Sequence, residues 1–452
     1  MSSFELNCDV EALGEILKRQ GLKIYFIGIL GSGMKPLANL AHSLGYRIGG
    51  SDARAASLSD ALFEKMSVKS VTDAELVVYS FAIASDDPEI LLSLSLGIPT
   101  VSRAELLGAL MRPYRQRVGV SGSHGKSTTS AAIDAIFSHA GVPTTSVIGA
   151  TLFDGSDVRV SAADSFVYEA CEYRDAFLHF YPTLSVITGI ELDHTDYFRS
   201  LSHVTDSFYR AAMRSEDAVL LNFDSPVCVD MAGRLIGKRV YSYGRCEGAF
   251  YRYVRHSADS FSVLKGTEEL VKIRMRLIGE YNMSNLTAAI AAADISGIPT
   301  LKIREAAESF GGIERRMQRL CLLDGREVIY DYAHHPSEIS VAIDTVKETY
   351  GKCTVIFRPH TYSRTKALWG EFKAALSKAE FTILVDIYPA REKMIDGITS
   401  ECLAKEMERA VYLPFSSVAE YARRHTVGAI VIMGAGDVDI IKDEILSMAK
   451  EI

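Results

Sequence analysis

The chain has 452 residues, of which 48% are hydrophobic and 23% charged, with a net charge of −8. That length exceeds one ordinary core and implies two to four domains. The acidic balance argues against broad nucleic-acid binding and suits an enzyme that holds anionic ligands at local positive sites.

The seven cysteines are scattered, form no CxxC pair and are odd in number, which points to a reducing cytoplasm rather than a disulfide framework. The opening Met1-Ser2-Ser3-Phe4-Glu5-Leu6-Asn7 is not patterned as a signal peptide, and no apolar run is long enough to span a bilayer. A cytoplasmic protein with no membrane and no nucleic-acid partner is expected.

Short apolar strands alternate with helical stretches along the whole chain, the mark of parallel α/β domains. Strands are expected near Lys23–Ile29, Tyr46–Gly49, Leu76–Ser80 and Pro99–Val101, in a small first domain ending near Arg112-Pro113. A second series begins at Arg117–Val120 and continues through Phe166–Glu169, Leu184–Thr188 and Ala218–Leu221. The more polar Tyr241–Leu277 reads as antiparallel hairpins, followed by a helix over Asn282–Ile295. A boundary falls near Arg315–Cys321, and a third series follows at Glu327–Tyr330, Cys353–Phe357, Thr382–Val385 and Ala429–Met433. Three consecutive α/β domains are therefore expected: residues 1–113, 114–318 and 319–452.

The strongest signal lies at the start of the second series, Val118-Gly119-Val120-Ser121-Gly122-Ser123-His124-Gly125-Lys126-Ser127-Thr128-Thr129. An apolar strand runs into a Gly-rich turn, and a Lys-Ser pair opens a helix. Glycines let backbone N–H groups close around phosphate oxygens, the helix N-terminus favours anions, the lysine reaches the terminal phosphates and the serine can ligate Mg²⁺. The full P-loop pattern has Gly where Val120 stands, so the match is to the shorter Gly-Ser-His-Gly-Lys-Ser form. Nucleotide triphosphate binding in the middle domain follows.

Other clusters stand at strand ends. Gly28, Gly31, Ser32, Gly33 and Met34 follow the first strand, and Asp52 follows the second, a dinucleotide-like layout that equally suits a tight strand-to-helix turn. Glu169 and Glu172 leave an apolar strand beside the phosphate loop, as metal ligands or as a solvated strand end. Glu191, Asp193, His194 and Asp196 crowd the end of another strand, suited to metal or acid/base work. In the third domain, Asp331-Tyr332-Ala333-His334-His335-Pro336, the segment from Arg358 to Lys366, and Asp386 to Lys393 each follow a strand. Together they imply a polar cleft for a zwitterion or phosphate. Zinc at the paired histidines has no Cys or HExxH partner pattern to support it.

Taken in order, these segments resemble the Mur ligases, ATP-dependent amide-bond-forming enzymes of bacterial cell-wall synthesis. The matching pieces also include Arg103-Ala104-Glu105, Asn282-x-x-Asn285, Arg315-Arg316 and Pro359-His360-x-Tyr362-x-Arg364-Thr365, so the resemblance covers nearly the whole chain. The His-His-Pro and Pro-His-x-Tyr-x-Arg pieces point to the branch that adds L-alanine to UDP-N-acetylmuramate.

The resemblance implies a Rossmann-like first domain in which Gly28, Gly31, Ser32, Gly33, Met34, Asp52 and Arg103 bind the UDP-sugar. It implies ATP at Gly122, Ser123, His124, Gly125, Lys126, Ser127, Thr128, Asn282, Asn285, Arg316 and Asp331. Two Mg²⁺ ions are implied, at Ser127 and Glu169 and at His194, with Lys126, Glu169 and His194 at the reacting groups. A Rossmann-like third domain would take L-alanine at Tyr332, His334, His360 and Arg364. A monomer or weak homodimer is expected.

Leu30, Cys171, Gly189 and Thr361 depart from the usual family residues, and no lysine lies between Tyr197 and Ala212, an absence that fits the alanine-adding branch. A ligase that joins a whole peptide to the same sugar nucleotide, or a non-catalytic sugar-nucleotide-binding protein, are the competing readings.

Overall fold

The computed structural model describes residues 10–31, 33–52, 67–149, 158–161, 164–194, 197–390, 392–434 and 436–450. Among the described residues there are three sheets, and the chain divides into two compact units. One unit comprises 1–254, 261–273 and 283–310, and the other 255–260, 274–282 and 311–452.

The first sheet holds β1 (Lys23–Ile27), β2 (Arg47–Ser51), β3 (Leu76–Tyr79) and β4 (Thr100–Ser102) in the order β2-β1-β3-β4, all parallel. Their interior residues read as near-continuous apolar runs because helices cover a parallel sheet. Ile24, Phe26, Leu76, Val78 and Val101 share one core with Leu37, Leu40 and Leu107 from the helices Met34–Ser43 and Arg103–Met111. The latter helix starts on a capping box, in which Glu105 accepts from the Ser102 N–H at 2.6 Å and the Ser102 hydroxyl accepts from the Glu105 N–H at 3.3 Å.

The second sheet contains β5 (Gln116–Ser121), β6 (Thr144–Val147), β7 (Val158–Arg159), β8 (Ser165–Glu169), β9 (Leu184–Ile187), β10 (Ala218–Asn222), β11 (Arg239–Gly244), β12 (Tyr251–Arg255), β13 (Ser260–Lys265) and β14 (Glu268–Arg274). Its order is β14-β13-β12-β11-β10-β9-β5-β8-β6-β7. β5 lies between β8 and β9 and is parallel to both, with Val120 opposite Glu169 and Ser121 opposite Ile187. The segments leaving these three strands therefore emerge side by side at the carboxyl edge, where open α/β sheets bind ligands. The stretch expected as hairpins from Tyr241 opens instead on parallel pairing. That residue belongs to β11, whose backbone is satisfied by a parallel ladder on β10, and β11 pairs parallel with β12 as well. The helix Glu280–Ile295 starts two residues before the expected one, and Ala288, Ala289, Ala291, Ala292 and Ala293 are all fully buried. Small side chains on every face let neighbouring elements approach closely, which explains why the helix shows no polar stripe.

The third sheet holds β15 (Gln318–Leu323), β16 (Arg326–Asp331), β17 (Cys353–Arg358), β18 (Phe381–Leu384), β19 (Ala410–Tyr412) and β20 (Ala429–Gly434), in the order β15-β16-β20-β17-β18-β19. All pairings are parallel except β15 with β16. β16, β17 and β18 thus present their carboxyl ends on one edge. Among the described residues no helix is long and apolar enough to cross a membrane.

Candidate functional site

The phosphate loop grows from β5. Gly125 precedes the helix Lys126–His139 at φ +83°, a left-handed conformation that an L side chain adopts only at a cost. A Cβ there would also collide with the Asn285 side-chain oxygen. The glycine lets the backbone turn its N–H groups toward the helix N-terminus, and Asn285 closes the loop from behind, also accepting from the Thr129 hydroxyl at 3.5 Å.

Three acceptors surround the Lys126 ammonium: the Gly122 carbonyl, the Ser123 carbonyl at 3.4 Å and Glu172 Oε1 at 3.0 Å. Glu172 is buried and Lys126 partly buried, with side chains 3% and 15% exposed. Burial would lower the Lys126 pKa, but Glu172 and Glu169 outweigh it and raise the pKa above the ordinary lysine value. The Ser127 hydroxyl donates to Glu169 Oε2 at 2.7 Å, and the Gly149 N–H donates to the same oxygen at 3.2 Å. A hydroxyl and a carboxylate thus meet at the helix N-terminus.

The segment after β9 completes this face. The Ser123 hydroxyl accepts from the Glu191 N–H at 2.8 Å, and His124 Nε2 lies 3.6 Å from Glu191 Oε2. Thr128 is buried on the helix's first turn. His194 holds a left-handed backbone at φ +50°, with its ring against Tyr173 at 4.9 Å and Nε2 3.7 Å from Glu172 Oε1. Burial pushes the Asp193 carboxyl up, but the His194 N–H and the charges of His194, His124 and Lys126 hold it below the usual range. Lys126, Ser127, Glu169 and His194 therefore share one edge. Asp196 lies outside the described residues. Glu172, which the sequence offers with Glu169 as a metal ligand or a solvated strand end, instead joins Lys126 to His194. Its position three residues after Glu169 was the available signal.

In the first sheet, the turn after β1 is pinned to the end of β2. The Gly28 and Ile29 N–H groups donate to the Ser51 carbonyl at 2.8 and 3.0 Å, and the Leu30 N–H donates to Asp52 Oδ2 at 3.0 Å. Asp52 thus engages the turn itself. Gly31 N–H bonds to the Gly28 carbonyl at 3.0 Å, and Met34 is buried beneath the helix start. A Cβ on Gly33 would lie 3.1 Å from the Arg103 guanidinium carbon, so Arg103 lies over the N-terminus of the helix Met34–Ser43. The Met34 and Lys35 N–H groups both donate to the Gly31 carbonyl at 2.9 Å, so the positive charge at this end comes from Arg103 and the helix dipole. Ser32 lies outside the described residues. The departure Leu30 is buried.

In the other unit, Asp331 ends β16 and is buried. It accepts from the Met317 and Ala333 N–H groups, each at 2.7 Å. Burial nevertheless raises its pKa, against the pull of Arg316 and those N–H groups. Arg316 stands over the Tyr332 ring at 5.6 Å, and Asn282 donates to the Ile278 carbonyl at 2.8 Å. Asn282, Arg316 and Asp331 belong to this unit, whereas Asn285 belongs to the unit of the phosphate loop.

The paired histidines divide. His335 caps the helix Pro336–Tyr350, with Glu338 completing a capping box, while His334 turns inward with Nδ1 3.0 Å from the Tyr332 carbonyl. Tyr332 and His334 rings lie 5.1 Å apart, His334 and His360 rings 6.0 Å apart, and Arg364 Nη1 is 3.4 Å from His360 Nδ1. All four expected residues of this cluster are brought together. Burial lowers the His334 pKa, and burial with the nearby Arg364 and His334 charges pushes His360 down to about 4. Both rings are neutral near pH 7 and can accept a hydrogen bond or a proton. Tyr388, not singled out for a role, stacks on His360 at 5.5 Å, and its carbonyl accepts the Thr361 N–H at 2.8 Å. Thr361 sits at φ +64°, ψ 144°, a strained backbone for a β-branched residue. That bend aims Arg364 back at His360.

Three family models match in succession: the Mur ligase family catalytic domain over residues 23–115, the Mur ligase middle domain over 120–293, and the Mur ligase glutamate ligase domain over 315–442. The chain is 36% identical over 443 residues to the UDP-N-acetylmuramate–L-alanine ligase of Acetivibrio thermocellus, covering 92% of this chain and 93% of that one. It is 34% identical over 457 residues to the ligase of the same description from Caldanaerobacter subterraneus, covering 95% and 98%. Its fold resembles the solved UDP-N-acetylmuramate–alanine ligase of Thermotoga maritima, at 23% identity with a TM-score of 0.76 over 95% of this chain and 99% of that one. It also resembles the murein peptide ligase of Psychrobacter arcticus, at 20% identity with a TM-score of 0.67 over 96% and 99%. Matched in order along most of its length, the chain belongs to the Mur ligase family.

Proposed function

We propose that this protein is an ATP-dependent ligase that joins the lactyl carboxylate of UDP-N-acetylmuramate to L-alanine in peptidoglycan precursor synthesis. The observation that carries the reading is the meeting of Lys126, Ser127 and Glu169 at the N-terminus of one helix, in a chain a third identical to alanine-adding ligases over nearly its full length.

The chemistry has two steps. A carboxylate oxygen of the sugar attacks the γ-phosphorus of ATP, forming an acyl phosphate and releasing ADP. The alanine amine then attacks the acyl carbon, the C–O bond to phosphate breaks, and the amine gives up a proton as the amide forms. Lys126 and the loop N–H groups from Gly122 to Thr128 hold the triphosphate and offset the charge that builds on it. Asn282, Asn285, Arg316 and Asp331 hold the rest of the nucleotide. Gly28, Gly31, Ser32, Gly33, Met34, Asp52 and Arg103 take the UDP-sugar. Tyr332, His334, His360 and Arg364 take alanine, with Arg364 on its carboxylate and a neutral histidine able to receive the amine proton.

Ser127 and Glu169 supply hard oxygen donors and fit Mg²⁺, which keeps much of its own water and needs only one or two protein ligands. His194, a softer nitrogen donor, suits a second ion reached through water. Bound there, Mg²⁺ would neutralise phosphate charge as the carboxylate approaches.

We place domain limits at 1–113, 114–318 and 319–452, a cytoplasmic location, and a monomer or weak homodimer. The test is ATP-dependent phosphate release with each substrate omitted in turn. Turnover that requires UDP-N-acetylmuramate and L-alanine supports the reading. Turnover with a tripeptide but not alanine would overturn it.

A further inference from the structure

Glu172 has no part in the reaction proposed above, yet it is among the most buried charged side chains of the phosphate-loop edge, at 2% exposure. Its Oε1 meets Lys126 Nζ at 3.0 Å and stands 3.7 Å from His194 Nε2. Its Oε2 is buried without a hydrogen-bond partner. A buried carboxylate oxygen left unmatched is costly, so the group is held there by what it does with its other oxygen.

The Lys126 ammonium has three protons, and three acceptors surround it: the Gly122 carbonyl, the Ser123 carbonyl and Glu172. No donor is spare for a phosphate. The two carbonyls belong to the loop that must wrap the phosphates, and the carboxylate is the one anionic partner among the three. An incoming triphosphate therefore competes for the lysine with a protein anion already in place.

We propose that Glu172 is a positioning residue that stands in for the triphosphate, pairing with Lys126 between turnovers and yielding it when nucleotide binds. The pairing keeps a buried ammonium compensated between turnovers and aims it along the loop. The cost is affinity, because each binding event breaks a short, desolvated ion pair and leaves the displaced carboxylate near the phosphates. On release, His194 Nε2, 3.7 Å from Glu172 Oε1, is the polar group that remains beside the carboxylate. The inference rests on the nucleotide reading of this loop.

The test is calorimetric titration with AMP-PNP and, separately, AMP, both with Mg²⁺, on the full chain. Glu172→Gln keeps the shape and removes the charge. It is expected to bind AMP-PNP about ten-fold more tightly than the unaltered protein, with AMP unchanged because AMP lacks the phosphates that compete for Lys126. Glu172→Asp keeps the charge but shortens the reach, and is expected to fall between the two. It carries the test if circular dichroism shows Glu172→Gln misfolded. Unchanged or weaker AMP-PNP binding in the folded variants would overturn the proposal, as would equal tightening of AMP. If the unaltered protein binds no AMP-PNP at all, the nucleotide reading itself falls and takes this proposal with it.

Discussion

Gly125→Ala asks whether the phosphate loop depends on its backbone in the way the geometry indicates. At φ +83°, an alanine costs ~1–2 kcal/mol of backbone strain. Its Cβ would in addition overlap the Asn285 side-chain oxygen, so either Asn285 or the loop must move. Gly141, two residues past the end of the same helix, provides a matched control. It has φ +74° and nothing within 4 Å of an added Cβ. Gly141→Ala therefore carries similar strain without the collision. Both variants should melt earlier, by roughly 2–4 °C per kcal/mol in a domain of ~200 residues. Only Gly125→Ala should lose nucleotide. Misplacing one N–H that donates to phosphate removes a charge-assisted hydrogen bond of about 1.5–3 kcal/mol, or roughly ten- to a hundred-fold in affinity. Titration calorimetry with AMP-PNP, beside thermal melts, reads both quantities. Equal affinity in the two alanine variants would refute the claim that Gly125 and Asn285 shape this site.

Ser127→Ala and Glu169→Gln each remove one of the paired oxygen donors, and each should raise the Mg²⁺ concentration giving half-maximal turnover, measured by metal titration at saturating ATP. Arg364→Ala should raise the KM for alanine by about ten- to a hundred-fold while leaving that for ATP within about two-fold, read from steady-state kinetics with each substrate varied. His360 has its pKa lowered from 6.5 to about 4 in the folded chain. Between those values the unfolded chain binds a proton that the folded chain does not, so stability falls as pH drops through this window and is unaffected above it. His360→Gln should make the slope of denaturation free energy against pH shallower from 6.5 to 4.

The apolar strands and the phosphate loop were legible in the sequence because each rests on a local pattern: a buried run for a parallel strand, or glycines at fixed offsets before Lys126. Elements at sheet edges were less so. β7 is two residues long, and β19 is three residues of intermediate burial, so neither makes an apolar run. β15 falls where a boundary was expected. It is an antiparallel edge strand with Leu322 59% exposed, so it lacks the buried signature of its neighbours. The site clusters were found one strand at a time, since each is a short segment after an apolar run. What joins them was not. Glu172 reaches Lys126 across 46 residues of sequence, and Tyr388 reaches His360 only because β17 and β18 lie side by side. Sequence spacing shows which residue types stand at a strand end, and sheet register decides which of them meet.

The central claim is ligation through an acyl phosphate, and the most direct measurement follows the carboxylate oxygen. UDP-N-acetylmuramate labelled with ¹⁸O in its lactyl carboxylate, incubated with ATP, Mg²⁺, L-alanine and the protein, is expected to yield inorganic phosphate carrying one ¹⁸O per amide formed. Mass spectrometry of the phosphate and of the alanyl product reads both. Amide formation with unlabelled phosphate would contradict the acyl-phosphate route, and phosphate release without any alanyl product would contradict the ligase itself.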